Sequence, residues 1–183
     1  WMPISFLKNQ KGKFTAVTTT LSTELGWWNS VTAADLDNDG DMDYVVGNLG
    51  LKNYYHASSD HPVKVFAKDF DGNGSIDPIT ACYFKMQDGT EKLCPVHFWD
   101  ELNSQSPKFR RQFSRYKQYG KATIEDLLTP EDLQGATILE ANYAASSYIE
   151  NLGGDKFKLV PLPIQSQFAP VFGMVADDFD GDG

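Results

Sequence analysis

Five aspartates stand within nine residues in the run DLDNDGDMD, which extends from Asp35 to Asp43. Carboxylates at positions 1, 3, 5 and 9 of such a run can converge on one point, and the backbone carbonyl of position 7 can add another oxygen. Gly40 at position 6 permits the sharp bend that this convergence requires. Oxygen donors with this spacing suit Ca²⁺, so the run predicts a calcium loop. The competing interpretation is an aspartate-rich turn without metal.

The same pattern occurs again further along the chain. A second copy covers Asp69–Asp77, and a third begins at Asp178 and is cut short by the end of the sequence. The predicted metal ligands are Asp35, Asp37, Asp39, Asp41 and Asp43 in the first loop, Asp69, Asp71, Asn73, Ser75 and Asp77 in the second, and Asp178, Asp180 and Asp182 in the third. An asparagine at position 5 of the second loop removes one charge, which lowers affinity more than it changes geometry.

These loops differ from the calcium loop of an EF-hand, which needs a bidentate glutamate at position 12 between two helices. Position 12 is Val46 in the first copy and Thr80 in the second. The residues Tyr44-Val45-Val46 are aromatic and β-branched, which is typical of a strand that enters a core. We therefore expect each loop to connect two strands and to be closed by its position 9 carboxylate.

Hairpins are predicted over Phe6–Phe14 and Tyr148–Phe157, and they precede the first and third loops at equal distances. Phe14 lies 21 residues before Asp35, and Phe157 lies 21 residues before Asp178. Equal spacing indicates one structural unit that is used twice, with Trp27–Val31 and Val171–Val175 as the strands that lead into the loops. The first two loops begin 34 residues apart and the last two 109 residues apart, so the longer interval predicts an insertion.

The inserted segment has helical patterns. We expect helices over Val96–Ser104 and Pro107–Lys121. In the second, an apolar stripe is predicted to contain Phe109, Phe113 and Tyr116, while lysines and arginines occupy much of the remaining surface. That basic surface could dock an acidic glycan or an anionic protein, although a solvated face is the simpler interpretation. Two further short helices are expected, with N-caps at Thr123 and Thr129.

The net charge of −9 reflects the loops, because they hold five, three and three aspartates, 11 of the 25 acidic residues. The rest of the chain has 14 acidic and 16 basic residues, so no basic surface for nucleic acid is expected. No apolar run approaches the length of a membrane span, and no signal peptide opens the chain. The sequence begins within a predicted strand and ends within the third loop, so we expect it to be part of a longer protein.

Two smaller residue groups leave alternatives open. Cys82 and Cys94 flank a predicted turn almost symmetrically, so they form either a disulfide or two buried thiols. His97, Asp100 and Glu101 lie close together in sequence and could act in acid/base catalysis, but one solvated turn of helix explains them more simply.

The loops, the strand after the first loop and the two hairpins resemble the FG-GAP and VCBS repeats of integrin-α-like β-propellers. The resemblance is to the branch found in exported bacterial proteins related to the cartilage acidic protein family. It implies a mainly β fold, a partial β-propeller of about three blades of four-stranded antiparallel sheet, with a helical insertion. The predicted domains are residues 1–95 with two calcium loops, the helical insertion 96–135, and a further repeat at 136–183.

The function expected from this resemblance is a calcium-stabilised extracellular module for recognition, adhesion or scaffolding, without catalysis. Its Ca²⁺ would be structural, its location extracytoplasmic (secreted, cell surface or periplasmic), and its partner a protein or glycan. We expect no nucleic acid and no membrane span, and exposed sheet edges could self-associate. The main alternative is part of a propeller-type glycan hydrolase or lyase whose active site is completed elsewhere in the parent protein. A third is a spacer that orients other domains.

Overall fold

The structure is a computed structural model that describes residues 1–179 and 181. The strands are β1 (Met2–Pro3), β2 (Phe6–Gln10), β3 (Lys13–Val17), β4 (Leu25–Gly26), β5 (Ser30–Ala34), β6 (Asp43–Gly47), β7 (Val63–Lys68), β8 (Asp77–Lys85), β9 (Glu91–Pro95), β10 (Thr137–Ala141), β11 (Ser147–Asn151) and β12 (Phe157–Pro161). The helices are α1 (Trp99–Gln105), α2 (Pro107–Gln112), α3 (Tyr116–Tyr119), α4 (Ile124–Leu127) and α5 (Pro130–Leu133), with a 3₁₀ helix at Ile164–Gln167. The α-helices all lie between β9 and β10, so the mainly β fold with a helical insertion is confirmed.

Two compact units make up the chain. The discontinuous unit joins Trp1–Tyr54 to Ala141–Gly183, and the inserted unit is Tyr55–Glu140. Each contains one four-stranded antiparallel sheet, as expected of a propeller blade, and the discontinuous unit also has the two-stranded pairs β1–β4 and β2–β3. None of the described helices is both long and apolar enough to cross a membrane.

The sheet of the discontinuous unit has the strand order β12-β11-β6-β5. Strand β6 comes from the first part of the unit and β11 from the second, and they pair antiparallel with Ile149 opposite Tyr44. Leu21, Val46 and Ile149 form the buried core, and partly buried aromatic residues surround them. Among these, Phe6 and Phe157 stack with ring centroids 4.0 Å apart, so the two predicted hairpins contact each other.

The sheet of the inserted unit has the order β10-β7-β8-β9. Its buried face carries Phe66, Ile79 and Ala81, and the helices cover that face. Leu102, Phe109 and Leu127 are fully buried in the same core, one each from α1, α2 and α4. The helical insertion is therefore the hydrophobic cover of this sheet.

The predicted single helix over Pro107–Lys121 is wrong, because the structure has two short helices there, α2 and α3. The indole N–H of Trp99 donates to the carbonyl of Phe113 at 3.1 Å, and Phe113 itself has extended backbone angles. As a result Tyr119, rather than Tyr116, contributes to the core, and Tyr116 is 55% exposed. Both predicted N-caps are confirmed: Thr123 and Thr129 each accept a hydrogen bond from the third residue of their helix.

The strand expected over Val171–Val175 is not formed. Residues 171–178 have no ladder partner within the described part of the chain, and Phe172 is 72% exposed. The two repeats thus begin alike but differ at this point. In the first copy, Val31 pairs with Val46 of the following strand. In the second copy, residues 176–179 contain no strand with which Val171–Val175 could pair.

Candidate metal centre

Both acidic loops connect neighbouring antiparallel strands, as the sequence predicts. The first joins β5 to β6, and the second joins β7 to β8, so position 9 is the first residue of the following strand in both. Gly40 and Gly74, at position 6, have φ angles of 91° and 90°. Residues other than glycine rarely adopt this conformation, which explains why the bend falls there.

In the first loop, Asp35, Asp37 and Asp39 each offer a carboxylate oxygen, and these atoms lie within 4.8 Å of one another. All three side chains are exposed. Desolvation and then repulsion from Asp39 and Asp43 raise the pKa of Asp37. Asp41 does not belong to this group, and its backbone N–H donates to Asp39 Oδ1 at 2.8 Å.

Asp43 closes the first loop, but its carboxylate is occupied by hydrogen bonds. Its Oδ2 accepts from the Leu36 N–H at 3.2 Å and from the Tyr148 hydroxyl at 2.8 Å, and its Oδ1 accepts from the Asn151 N–H at 2.9 Å. Burial alone would raise the pKa of Asp43, but these bonds outweigh it and hold the pKa below its usual value. Asp43 therefore links β6 to β11 as a structural anion.

The second loop brings together Asp69, Asp71 and Asp77, with carboxylate oxygens within 4.8 Å of one another. Unlike the first group, this one includes the position 9 residue, and Asp77 is only 2% exposed. Asn73 and Ser75 occupy positions 5 and 7, and Asn73 Oδ1 accepts from the Ser75 N–H at 2.8 Å. The group thus combines two partly exposed carboxylates with one buried carboxylate.

The carboxylates of the second loop experience different surroundings. Hydrogen bonds from Gly74, and then from Asn73 and Gly72, lower the pKa of Asp69 despite some desolvation. Asp77 accepts one described hydrogen bond, from the Phe70 N–H at 3.0 Å. Burial, followed by repulsion from Asp71 and Asp69, raises the pKa of Asp77. A bound cation would remove that repulsion.

The helical cover also holds the second loop in place. Phe70, at position 2, is 8% exposed, and its ring packs edge-on against Phe109 with centroids 6.1 Å apart. Lys108 Nζ lies 5.8 Å from the Phe70 ring centroid and pairs with Asp132. A cavity of about 680 Å³ beside the loop is lined in part by Asp71, Lys108 and Arg111. Leu36, the equivalent residue of the first loop, is 45% exposed.

Part of the third loop is described. Asp178 Oδ1 accepts from the Gly181 N–H at 2.7 Å, which is the start of the same bend. The predicted ligands Asp180 and Asp182 lie outside the described residues.

The residues present fit Ca²⁺ in both complete loops. Calcium–oxygen distances of about 2.3–2.6 Å place opposite ligands at most about 5 Å apart, and both carboxylate groups satisfy that limit. Every side-chain donor is a hard oxygen, and in the second group burial, followed by repulsion from Asp71 and Asp69, raises the pKa of Asp77. The candidate ligands are Asp35, Asp37 and Asp39 in the first loop and Asp69, Asp71 and Asp77 in the second.

The residues considered for acid/base chemistry have structural partners. His97 Nε2 accepts from the Thr80 N–H at 3.0 Å, and burial lowers the pKa of His97. Glu101 Oε2 accepts from the Phe98 N–H at the start of α1, and Asp100 accepts from the Tyr116 hydroxyl at 3.3 Å. These bonds connect His97 to β8 and α1 to α3, and they cap the start of α1.

Tyr148 and Asn151 were not identified from the sequence as part of the site. Both belong to the second hairpin, which provided the signal of a repeat but no sign that it contacts the first loop. Their bonds to Asp43 depend on the β6–β11 pairing, which joins residues about a hundred positions apart.

Residues 3–46 match the family model described as FG-GAP-like repeat. This segment is similar to an FG-GAP-like repeat. It includes the first hairpin, β5, the first acidic loop and most of β6, which are some of the features that suggested the family from sequence. No curated protein and no solved structure matches the chain.

Proposed function

We propose that the chain is a calcium-stabilised recognition or scaffold module of the integrin-like repeat type, working outside the cytoplasm and without catalysis. The observation that carries the proposal is the convergence of three carboxylates in each of two inter-strand loops. The relation to the cartilage acidic protein branch belongs to the same proposal. The proposal is supported by the FG-GAP-like match at residues 3–46, because the matched segment contains the first acidic loop.

The proposed role of Ca²⁺ is to hold the loops in shape. When bound, the ion offsets repulsion among the aspartates, while the protein supplies the bend at glycine and the hydrogen bonds that orient position 1. Extracellular calcium modules bind with Kd of about 10⁻⁴–10⁻³ M, so such a loop stays occupied where calcium is abundant. This range supports an extracytoplasmic location.

The surface proposed for recognition lies in the discontinuous unit. A cavity of about 800 Å³ there is predominantly apolar and is lined by Trp1, Trp27, Trp28, Phe6 and Val31, among others. Aromatic side chains are enriched where proteins bind protein or glycan partners. The partner class proposed is therefore a protein or a glycan, in line with the absence of a basic nucleic-acid surface in the sequence.

Thermal unfolding in 10 mM Ca²⁺ and in EDTA tests the metal proposal. With Kd of about 10⁻⁴ M, each bound ion adds about 2.7 kcal/mol, which is about 5–10 °C for a chain of this size. Equal melting temperatures in the two buffers would remove the proposal. Mg²⁺ at equal concentration serves as the ionic-strength control, because it prefers a smaller octahedral site.

Matched variants assign the effect to each loop. Asp37→Ala and Asp71→Ala change position 3 of the first and second loops, and each original side chain accepts a hydrogen bond from its position 5 N–H. Each variant should lose the share of the calcium shift that belongs to its loop. Asp60→Asn removes an exposed charge outside the loops and should keep the whole shift.

The non-catalytic part of the proposal is tested with a glycan array and a panel of polysaccharide substrates. The structural bonds of His97, Asp100 and Glu101 favour the absence of catalysis, because each group already has a partner. Binding without turnover agrees with a recognition module. Hydrolysis or elimination of any polysaccharide would instead support the glycan hydrolase or lyase alternative.

A further inference from the structure

Cys82 and Cys94 stand directly opposite each other on β8 and β9. Both are free thiols, and their side chains are buried, with exposures of 0% and 9%. Facing residues of an antiparallel pair project from the same side of the sheet, so the two sulfur atoms share one side of the hairpin. The calcium loops and the recognition cavity use neither residue.

The distance between Cys82 and Cys94 depends on whether they form a hydrogen-bonded or a non-hydrogen-bonded pair of the antiparallel ladder. The Val96 N–H donates to the Thr80 carbonyl at 3.0 Å, and the Met86 N–H donates to the Thr90 carbonyl at 2.7 Å. Hydrogen-bonded pairs alternate along an antiparallel ladder, so Cys82 and Cys94 also form a hydrogen-bonded pair, with Cα atoms about 5.5 Å apart. That separation is within the range of disulfides, about 4.4–6.8 Å.

The facing Cβ atoms of such a pair lie about 4.5–5.5 Å apart, whereas a disulfide holds them at about 3.5–4.5 Å. Closure therefore draws the two strands together at this point. A bond formed against such resistance is reduced more readily than an unstrained structural disulfide.

We propose that Cys82 and Cys94 are a redox modification site, a cross-strand dithiol that a small-molecule disulfide converts reversibly to a disulfide bond. The Cys94 thiolate attacks one sulfur of the oxidant, which releases one small thiol and leaves a mixed disulfide on Cys94. The Cys82 thiolate then attacks the Cys94 sulfur of this mixed disulfide, which forms the Cys82–Cys94 bond and releases the second small thiol. Two electrons pass from the cysteines to the oxidant, and their two protons end on the released thiols.

The order of attack follows from exposure and charge. Cys94 is the more exposed of the two, and its Sγ lies 3.5 Å from the Lys92 carbonyl. Burial raises the pKa of Cys94, but the Lys92 charge opposes that shift, whereas burial and then Cys94 raise the pKa of Cys82 to about 11. Both thiols are thus mostly protonated near neutral pH, so we expect oxidation of the folded chain to accelerate as pH rises.

The experiment uses the whole chain in EDTA, so its result does not depend on the calcium proposal. The protein is incubated with excess oxidised glutathione, in one protocol as the folded chain and in the other during refolding from denaturant. It is then alkylated, and its mass is measured by mass spectrometry. The number of alkylated cysteines should fall from two to none, with a single Cys82–Cys94 crosslink on peptide mapping. Excess reduced glutathione should restore both thiols.

Single variants separate this site from general thiol reactivity. Cys82→Ser leaves Cys94 alone, and the folded protein should take up one glutathione that is not displaced. Cys94→Ser leaves the buried Cys82, and the folded protein should remain largely unmodified. Two alkylatable thiols under both oxidising protocols would overturn the proposal, as would stable glutathione adducts or intermolecular crosslinks in the unmutated chain.

Discussion

The two complete acidic loops share one sequence pattern but use their last carboxylate in different ways. In the first loop, Asp43 accepts three hydrogen bonds, two of them from Tyr148 and Asn151 on the neighbouring β11. In the second, Asp77 accepts one described bond, from within its own loop, and its oxygens stay close to those of Asp69 and Asp71. Equivalent residues thus have pKa shifts in opposite directions.

This difference shows that a ligand pattern does not fix the role of each ligand. Without metal, the first loop is already held by Asp43, because the protein itself satisfies that charge. The second loop is held from outside by Phe70 in the helical core, while burial and repulsion from Asp71 and Asp69 raise the pKa of its closing residue, Asp77. We therefore expect calcium to stabilise the second loop more than the first.

Replacement of Asp43 should have the largest effect. In Asp43→Asn, an NH₂ group replaces one carboxylate oxygen and faces an N–H or hydroxyl group that is itself a donor, so a hydrogen bond is lost there. The negative charge that strengthens all three bonds is lost as well. We expect the free energy of unfolding in EDTA to fall by about 2–4 kcal/mol. Chemical denaturation measures this value, and a change below about 0.5 kcal/mol would contradict the structural role of Asp43.

The matched change in the second loop should behave in the opposite way. In Asp77→Asn the amide oxygen can still accept from the Phe70 N–H, and repulsion with Asp69 and Asp71 is removed. Stability in EDTA should change by less than about 1 kcal/mol, whereas the calcium-dependent gain of about 2.7 kcal/mol from that loop should disappear. Isothermal titration with Ca²⁺ provides an independent measurement. Retention of the full gain would show that Asp77 does not contribute to binding.

Tyr148→Phe tests the link between β6 and β11 with a smaller change. It removes one hydrogen bond to a charged acceptor and leaves the ring in place, so we expect a loss of about 1.5–3 kcal/mol in EDTA. Tyr83→Phe on β8 is the control, since the Tyr83 ring packs against His61 with ring centroids 4.6 Å apart. Equal losses in both variants would argue against a specific role for the Tyr148 hydroxyl.

The smallest expected effect is a pH dependence confined to the sheet that carries the second loop. Burial keeps the pKa of His97 below 6.5, although Glu101 opposes the shift. Below pH 6.5 the unfolded chain binds a proton that folded His97 does not, so the free energy of unfolding falls as pH decreases toward the folded pKa. The loss should reach about 1 kcal/mol once the bond from Thr80 breaks.

Hydrogen exchange between pH 7 and pH 5, corrected for the intrinsic rates, measures this effect strand by strand. Protection should decrease in β8 and stay constant in β6. His97→Gln should remove the difference, and His56→Gln, which changes an exposed histidine, should leave it intact. Equal loss of protection in both strands would indicate a cause other than His97.

Features set by neighbouring residues were predictable from the sequence. The bends at Gly40 and Gly74 and the caps at Thr123 and Thr129 depend on contacts within a few positions, so their residue types carry the information. The bond between Tyr148 and Asp43 depends on which strands pair, and no local pattern specifies that. Likewise, the helix interruption at Phe113 follows from a hydrogen bond with Trp99 on another helix.

The strand pairing of the two units has a consequence for folding kinetics. In the inserted unit, β7 and β10 are neighbours, and Lys64 Nζ lies 2.6 Å from Glu140 Oε1, so the two ends of that unit are close together. In the discontinuous unit, β6 pairs with β11, which lies about a hundred residues later in the chain, so this pairing requires closure of a long loop. Since long loops close slowly, and early folding of the inserted unit shortens that loop, we expect the inserted unit to fold first and to accelerate the β6–β11 pairing.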